Sequence, residues 1–169
     1  MKGYKLDEKI EELLKKYGSL EKVVMIIGKP CYISFESALF EYGIKSRGPI
    51  GYQCATLSDE FFCYIRETPV EFIKIPEDYF FGYKQKNGIF WAEPEKALLD
   101  YAYYCELEGI KPDLYDIDWS ELNRAKLEKY AKLMDTKLNF PDVKALRKEK
   151  HPKYHLLADE LEEFFKQVV

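Results

Sequence analysis

The segment Trp91–Leu107, WAEPEKALLDYAYYCEL, restricts the fold of this chain more than any other. From Ala97 onward it holds only two residues that are neither apolar nor aromatic, Asp100 and Glu106. Pro94 suits a first helical turn, where its missing N–H has no intrahelical acceptor to satisfy. Glu93 and Glu95 place negative charge at the positive end of the helix dipole. A helix lying on a core shows an apolar stripe, whereas one apolar on nearly all sides lies inside it. Asp100 is therefore expected in a helix interior with little access to water. An unpaired carboxylate there would be strongly destabilising, so Asp100 must be hydrogen-bonded or ion-paired.

The rest of the chain changes periodicity twice around this helix. Leu6, Ile10, Leu13, Leu14 and Tyr17 recur at helical spacing, and Gly18 ends that run. Ser19 caps a second short helix with Leu20, Val23, Val24 and Ile27 on one side. Cys31-Tyr32-Ile33 reads as a brief extended entry to a third helix, capped by Ser34 and closed by Tyr42-Gly43. The period then becomes two, and Tyr52–Thr56, Phe61–Arg66, Val70–Ile75, Tyr79–Gln85 and Gly88–Trp91 read as strands. Asn87-Gly88 is the strongest hairpin signal, because a type I′ turn needs positive φ at both central residues. Beyond the central helix, an acidic loop (Asp113, Asp116, Asp118) leads to a helix from about Trp119 to Met134, capped by Asp118 or Ser120. Shorter helical runs follow to Lys150 and from His155 to Val168. The expected fold class is α+β: an antiparallel sheet of about five strands, one face covered, flanked by N-terminal and C-terminal helices. The 169 residues suit a single domain, divided into a helical hairpin (1–30), a core (31–107) and a helical C-terminal part (108–169).

Composition narrows the function. The net charge of −4 disfavours a whole-surface nucleic-acid binder while allowing a local basic patch. The charged N-terminus has no signal-peptide core, and no apolar run approaches the roughly 20 residues of a membrane span, so a cytoplasmic protein is expected. Cys31, Cys54, Cys63 and Cys105 lack metal or redox spacing and read as free thiols. His151 and His155 stand four apart with Pro152 between them and no ligand partner nearby. Neither a phosphate-binding glycine loop nor a zinc or serine-nucleophile motif occurs. No catalytic, metal or cofactor residues are expected, and the chain reads as non-enzymatic. Lys45, Arg47 and Arg66 are possible phosphate contacts, joined by Lys84, Lys86 and the Lys144–Lys150 cluster, although without a groove-reading element each reads first as ordinary solvated surface.

Two stretches carry a family resemblance. Tyr32-Ile33-Ser34-Phe35-Glu36-Ser37-Ala38-Leu39, continuing to Gly43-Ile44, is similar to the Y-x-S-x-x-S-A-L-x-x-x-G-(I/L) opening of AbiEi-type antitoxins. Ala92-Glu93-Pro94-Glu95-Lys96-Ala97-Leu98-Leu99-Asp100 resembles the same family's (A/D)-x-P-E-(K/R)-(A/T)-L-(L/V)-D. Pro49 and the Cys54-Ala55-Thr56 stretch between them resemble its proline and its V-x-(V/A)-T strand. The likeness covers about Tyr32 to Tyr104 and rests on short motifs in matching order. It implies an antitoxin and transcriptional regulator of a type IV abortive-infection system, which neutralises a nucleotidyltransferase-type toxin (AbiEii). The motif residues that it singles out are Ser34, Ser37, Tyr42, Thr56, Glu93, Lys96 and Asp100. That family carries an N-terminal winged helix that binds DNA, and only about thirty residues precede Tyr32 here.

Three readings follow. The first is a partner-binding antitoxin in which Asp100 ties the two motif segments together. The second is a DNA-binding autoregulator using Leu6–Ile27 and the Lys45/Arg47 loop. The third is an enzyme acting on nucleic acid or nucleotide, with Glu93, Asp100 and Arg66 converging in a cleft. Partner, operator and oligomeric state are not encoded in any motif.

Overall fold

The computed structural model describes residues 2–134, with side chains from Asp7 onward. The helical runs expected to Lys150 and from His155 to Val168, the Lys144–Lys150 cluster and both histidines lie outside the described residues.

Helix α1 (Lys2–Tyr17) ends at Gly18, whose φ of +75° reverses the chain. Ser19 caps α2 (Leu20–Ile27) by accepting a hydrogen bond from Lys22 N at 3.2 Å. Strand β1 (Cys31–Ile33) leads into α3 (Phe35–Glu41). Three strands follow, β2 (Tyr52–Thr56), β3 (Phe61–Ile65) and β4 (Thr68–Lys74). The hairpin of β5 (Tyr83–Lys86) and β6 (Ile89–Ala92) precedes α4 (Pro94–Leu107) and α5 (Arg124–Leu133). Asn87 and Gly88 have φ of 54° and 78°, as a two-residue type I′ loop requires.

The class is α+β, but the sheet has six strands in the order β3-β4-β2-β1-β6-β5, not five. It is mixed: β2–β4 and β1–β6 pair parallel, and the other neighbours are antiparallel. The sixth strand is Cys31–Ile33, read from sequence as a mere entry to α3. All three of its residues are buried, so it lies in the centre of the sheet and shows no exposed/buried alternation. Two further boundaries differ. The segment from Tyr79 is not strand: Glu77–Tyr79 forms a 3₁₀ turn and β5 starts only at Tyr83. The single helix expected over Trp119–Met134 is interrupted. Asp118 caps a 3₁₀ turn at Trp119–Glu121, and Asn123 caps α5 by accepting from Lys126 N.

Helices cover both faces, not one. Cys31, Ile33, Cys54, Val70 and Phe72 point towards α1 and α2, where they pack with Ile10, Val23 and Val24. Their neighbours Tyr32, Ala55 and Ile73 point the other way, towards α3, α4 and α5. Period two in the strands thus sorts alternate residues into two separate cores. Gly28 lets α2 approach the first of these closely, since a Cβ there would lie 2.0 Å from the Phe72 ring. Among the described residues no helix is long and apolar enough to cross a membrane.

Candidate functional site

Helix α4 sits in the second core with Glu95 to Ala102 and Cys105 buried. Lys96 and Asp100 are one turn apart, so both project from the same side of the helix. Strand β1 brings the Tyr32 ring to that side, and Ser34 follows where the chain leaves the strand. These four residues are each 0 % exposed. Asp100 Oδ1 is ion-paired with Lys96 Nζ at very short range. Asp100 Oδ2 accepts from Ser34 Oγ at 2.6 Å and from Tyr32 OH at 3.0 Å. Lys96 donates a further bond to Tyr32 OH at 2.9 Å. The phenol has one proton, which goes to Asp100, so its oxygen is left to accept from the lysine. Aromatic rings complete the shell: Lys96 Nζ lies 5.1 Å from the Phe81 ring centroid, and Tyr32 stacks on Tyr83 at 4.8 Å.

This arrangement fixes protonation states. Burial, followed by the Asp100 charge, pushes the Tyr32 phenol well above its ordinary pKa, so it remains a neutral donor. Burial pulls Lys96 below the ordinary lysine value, while Asp100 opposes that shift. Gly82 makes room for the lysine stem. A Cβ there would lie 3.0 Å from Lys96 Cγ, and its φ of +71° disfavours any side chain.

The remaining motif residues serve other joints. Ser34 stands at the N-cap of α3, but its hydroxyl goes to Asp100, so it is not the side-chain cap expected from sequence. Ser37 Oγ accepts from Gln53 N at 2.8 Å, holding α3 to β2. Tyr42 donates to Ala92 O at 2.7 Å, joining the end of α3 to the end of β6. Thr56 lies on the opposite face, within reach of the Gly28 and Pro30 carbonyls at 3.0 and 3.1 Å.

Glu93 is a hub at the start of α4. It is hydrogen-bonded by Tyr130 and ion-paired to Lys84 at 3.1 Å and Lys126 at 3.4 Å. Burial raises its pKa, but these partners outweigh that effect and hold it below the ordinary value. Glu95 Oε1 accepts from Asn123 N at 2.7 Å, which carries the cap of α5 onto α4, while its buried Oε2 has no hydrogen-bond partner among the described residues.

The candidate phosphate contacts are mostly occupied. Lys45 is only 4 % exposed, between Glu36 at 3.4 Å and Asp116 at 3.5 Å. Its expected role as a phosphate contact in a solvated loop is corrected: its ammonium is an internal counterion. Arg66 lies past the end of β3, not within a strand, and holds both oxygens of Glu11 at 3.0 and 3.1 Å. Arg47 is exposed, with its backbone N–H bonded to Asp116. Glu93, Asp100 and Arg66 do not converge: Asp100 is sealed, and Arg66 belongs to the β3 edge while Glu93 follows β6 near the other. All four thiols are free, and among the described residues no group of three or more acidic, histidine or cysteine side chains could hold a metal.

A cleft of about 470 Å³ opens between α2 and the β5–β6 hairpin, lined by Tyr17, Met25, Ile26, Phe80, Tyr83 and Phe90 with Lys22 and Lys29. Tyr83 forms part of its wall and stacks on Tyr32, so the cleft abuts the buried network.

Sequence reasoning identified Asp100 as a residue needing partners and missed Lys96 as its buried counterion. A lysine early in a helix ordinarily reads as surface. Its position four residues before a stranded aspartate was the available signal. Family models, curated proteins and solved structures yield no match to this chain, so the reading of the site rests on its own geometry.

Proposed function

We propose that this chain is an antitoxin of the AbiEi kind, a binding protein that opposes a nucleotidyltransferase-type toxin and performs no chemistry itself. One observation carries this reading. The two stretches that resemble the family, 66 residues apart at Ser34 and Asp100, meet in a single buried hydrogen-bonded cluster. Their most distinctive side chains are closed to any substrate, which favours a scaffold whose work is done at its surface. The cleft flanked by α2 and the β5–β6 hairpin is the concave, aromatic surface best suited to receive a partner's side chains. Lys22 and Lys29 at that cleft favour an acidic partner segment.

The DNA-binding reading is weaker, because Lys45 and Arg66 are already ion-paired. Co-expression tests the proposal directly. The proposal predicts a nucleotidyltransferase-like gene next to this one; that gene, induced alone, should arrest growth, and this protein should relieve the arrest. Arrest that persists with the protein present at comparable levels would overturn the reading.

A further inference from the structure

The two edges of the sheet are built differently. Edge strand β5 carries Lys84 and Lys86, the kind of charge that discourages strand-to-strand association. Edge strand β3 is Phe61-Phe62-Cys63-Tyr64-Ile65, with no charge in it. Phe62 and Tyr64 are 56 % and 58 % exposed and contact each other edge-to-face at 5.1 Å.

The register shows which backbone groups are open. Tyr64 lies opposite Pro69, which has no N–H to give, so that pair makes no ladder bonds. By alternation, Phe61, Cys63 and Ile65 bond to β4, while the N–H and C=O groups of Phe62 and Tyr64 point out of the sheet.

We propose that β3 pairs antiparallel with β3 of a second copy, about a two-fold axis through Cys63. That register pairs the two open residues with each other and sets the opposite charges at the strand's flanks face to face. Phe62 faces Tyr64 of the second copy, and the two exchange both of their open backbone bonds. Phe61 faces Ile65. Glu60, just before the strand, meets the Arg66 end of the other copy, where Glu11 engages Nε and Nη2 and leaves Nη1. Parallel pairing would instead set Glu60 against Glu60. The charges at the strand ends thus select a second copy of this chain running antiparallel across the two-fold axis, and the two sheets become one continuous sheet. Cys63 faces Cys63 as a pair without ladder bonds, for which Cα atoms lie about 4.5 Å apart. This surface is separate from the cleft and stands whether or not the chain is an antitoxin.

Cys63 makes the arrangement measurable, because Cys31, Cys54 and Cys105 are buried and Cys63 is only half-buried. The full-length protein, treated at mildly alkaline pH with a short-spacer bis-maleimide, should give a covalent dimer that Cys63→Ser abolishes. Sedimentation should show a dimer, and Phe62→Lys with Tyr64→Lys, which sets lysines against lysines, should weaken it roughly tenfold or more. The far-UV circular dichroism of that variant should be unchanged, since both positions are exposed; if it is not, the crosslink and sedimentation of the otherwise unaltered protein decide. A protein that stays monomeric at high concentration overturns the proposal. So does a dimer that forms without crosslinking through Cys63, which would place the contact on another face. Protection of Cys63 from maleimide in a monomer would equally overturn it.

Discussion

Beneath α1 and α2 the sheet is sealed by Ile10, Val23, Val24, Ile33 and Phe72, and the buried hydroxyl of Thr56 is satisfied by main-chain carbonyls. Beneath α3, α4 and α5 the same sheet is sealed around a lysine, an aspartate, a tyrosine hydroxyl and a serine. Both interiors exclude water, but they depend on different quantities. The first depends on volume: its contacts are numerous, individually small and insensitive to identity so long as the space is filled. The second depends on pairing: each polar group is acceptable only while its partners remain. A buried ion pair adds little net stability over a well-packed apolar pair, yet losing one partner is severe. In this fold the cluster joins α4 to β1 and Ser34 at one rotation of the helix, which apolarity on nearly all sides would leave open.

The largest expected effect breaks the charged face. Asp100→Ala leaves Lys96 and two hydroxyls buried without their acceptor and should lower unfolding free energy by about 3–5 kcal/mol in urea denaturation. Replacing both charges, Lys96→Met with Asp100→Leu, should recover most of that loss. A double variant as unstable as the single one would show that the damage comes from lost shape and not from an unpaired charge. An intermediate effect breaks the apolar face. Gly28→Ala forces a Cβ into the Phe72 ring and should cost about 1–3 kcal/mol, with Phe72→Leu in the same chain relieving much of it. Equal instability of the two chains would mean that Gly28 matters for its backbone and not for the space it leaves.

The smallest effect concerns pH. The partners facing Glu93 (Lys84, Lys126 and Tyr130) keep its folded pKa below the ordinary 4.5. A lowered carboxylate pKa means that the stabilisation is complete above the unfolded value and is lost as pH falls through the folded one. Stability should therefore decline as pH drops below about 4.5, and Glu93→Gln should flatten that limb while leaving the neutral-to-alkaline limb alone. Asp116, held low by Ser46, Lys45 and Arg47 against the effect of burial, should leave a residual slope in the same window. An acid limb unchanged by Glu93→Gln would assign it elsewhere.

Much of this contrast was legible in the residues. The all-round apolarity of α4 placed it in the interior, and Asp100 stood out as a charge within its apolar run from Ala97 to Cys105. Ser19, Gly18 and Asn87-Gly88 act through local backbone geometry, and each does what its type predicts. The sheet was less legible. A three-residue central strand buried on both faces shows no alternation, and nothing local distinguishes parallel from antiparallel pairing. Lys45 was illegible because its counterions Glu36 and Asp116 become neighbours only after folding, whereas for Lys96 the counterion is local and only the enclosing shell of Tyr32 and Phe81 is distant in sequence. The expected tie from Asp100 between the two motif segments is present at Ser34, whereas its ion pair with Lys96 is not part of that expectation.

The bond from Tyr32 to Asp100 spans 68 residues of chain. Closing so long a loop has an entropic cost that must be met before the contact contributes anything, which predicts that the cluster forms late and that Asp100→Ala speeds unfolding more than it slows refolding. Contacts absent from the transition state govern how fast a protein comes apart, and not how fast it assembles. On that expectation the buried quartet is a latch in time, and its loss should shorten the lifetime of the folded chain.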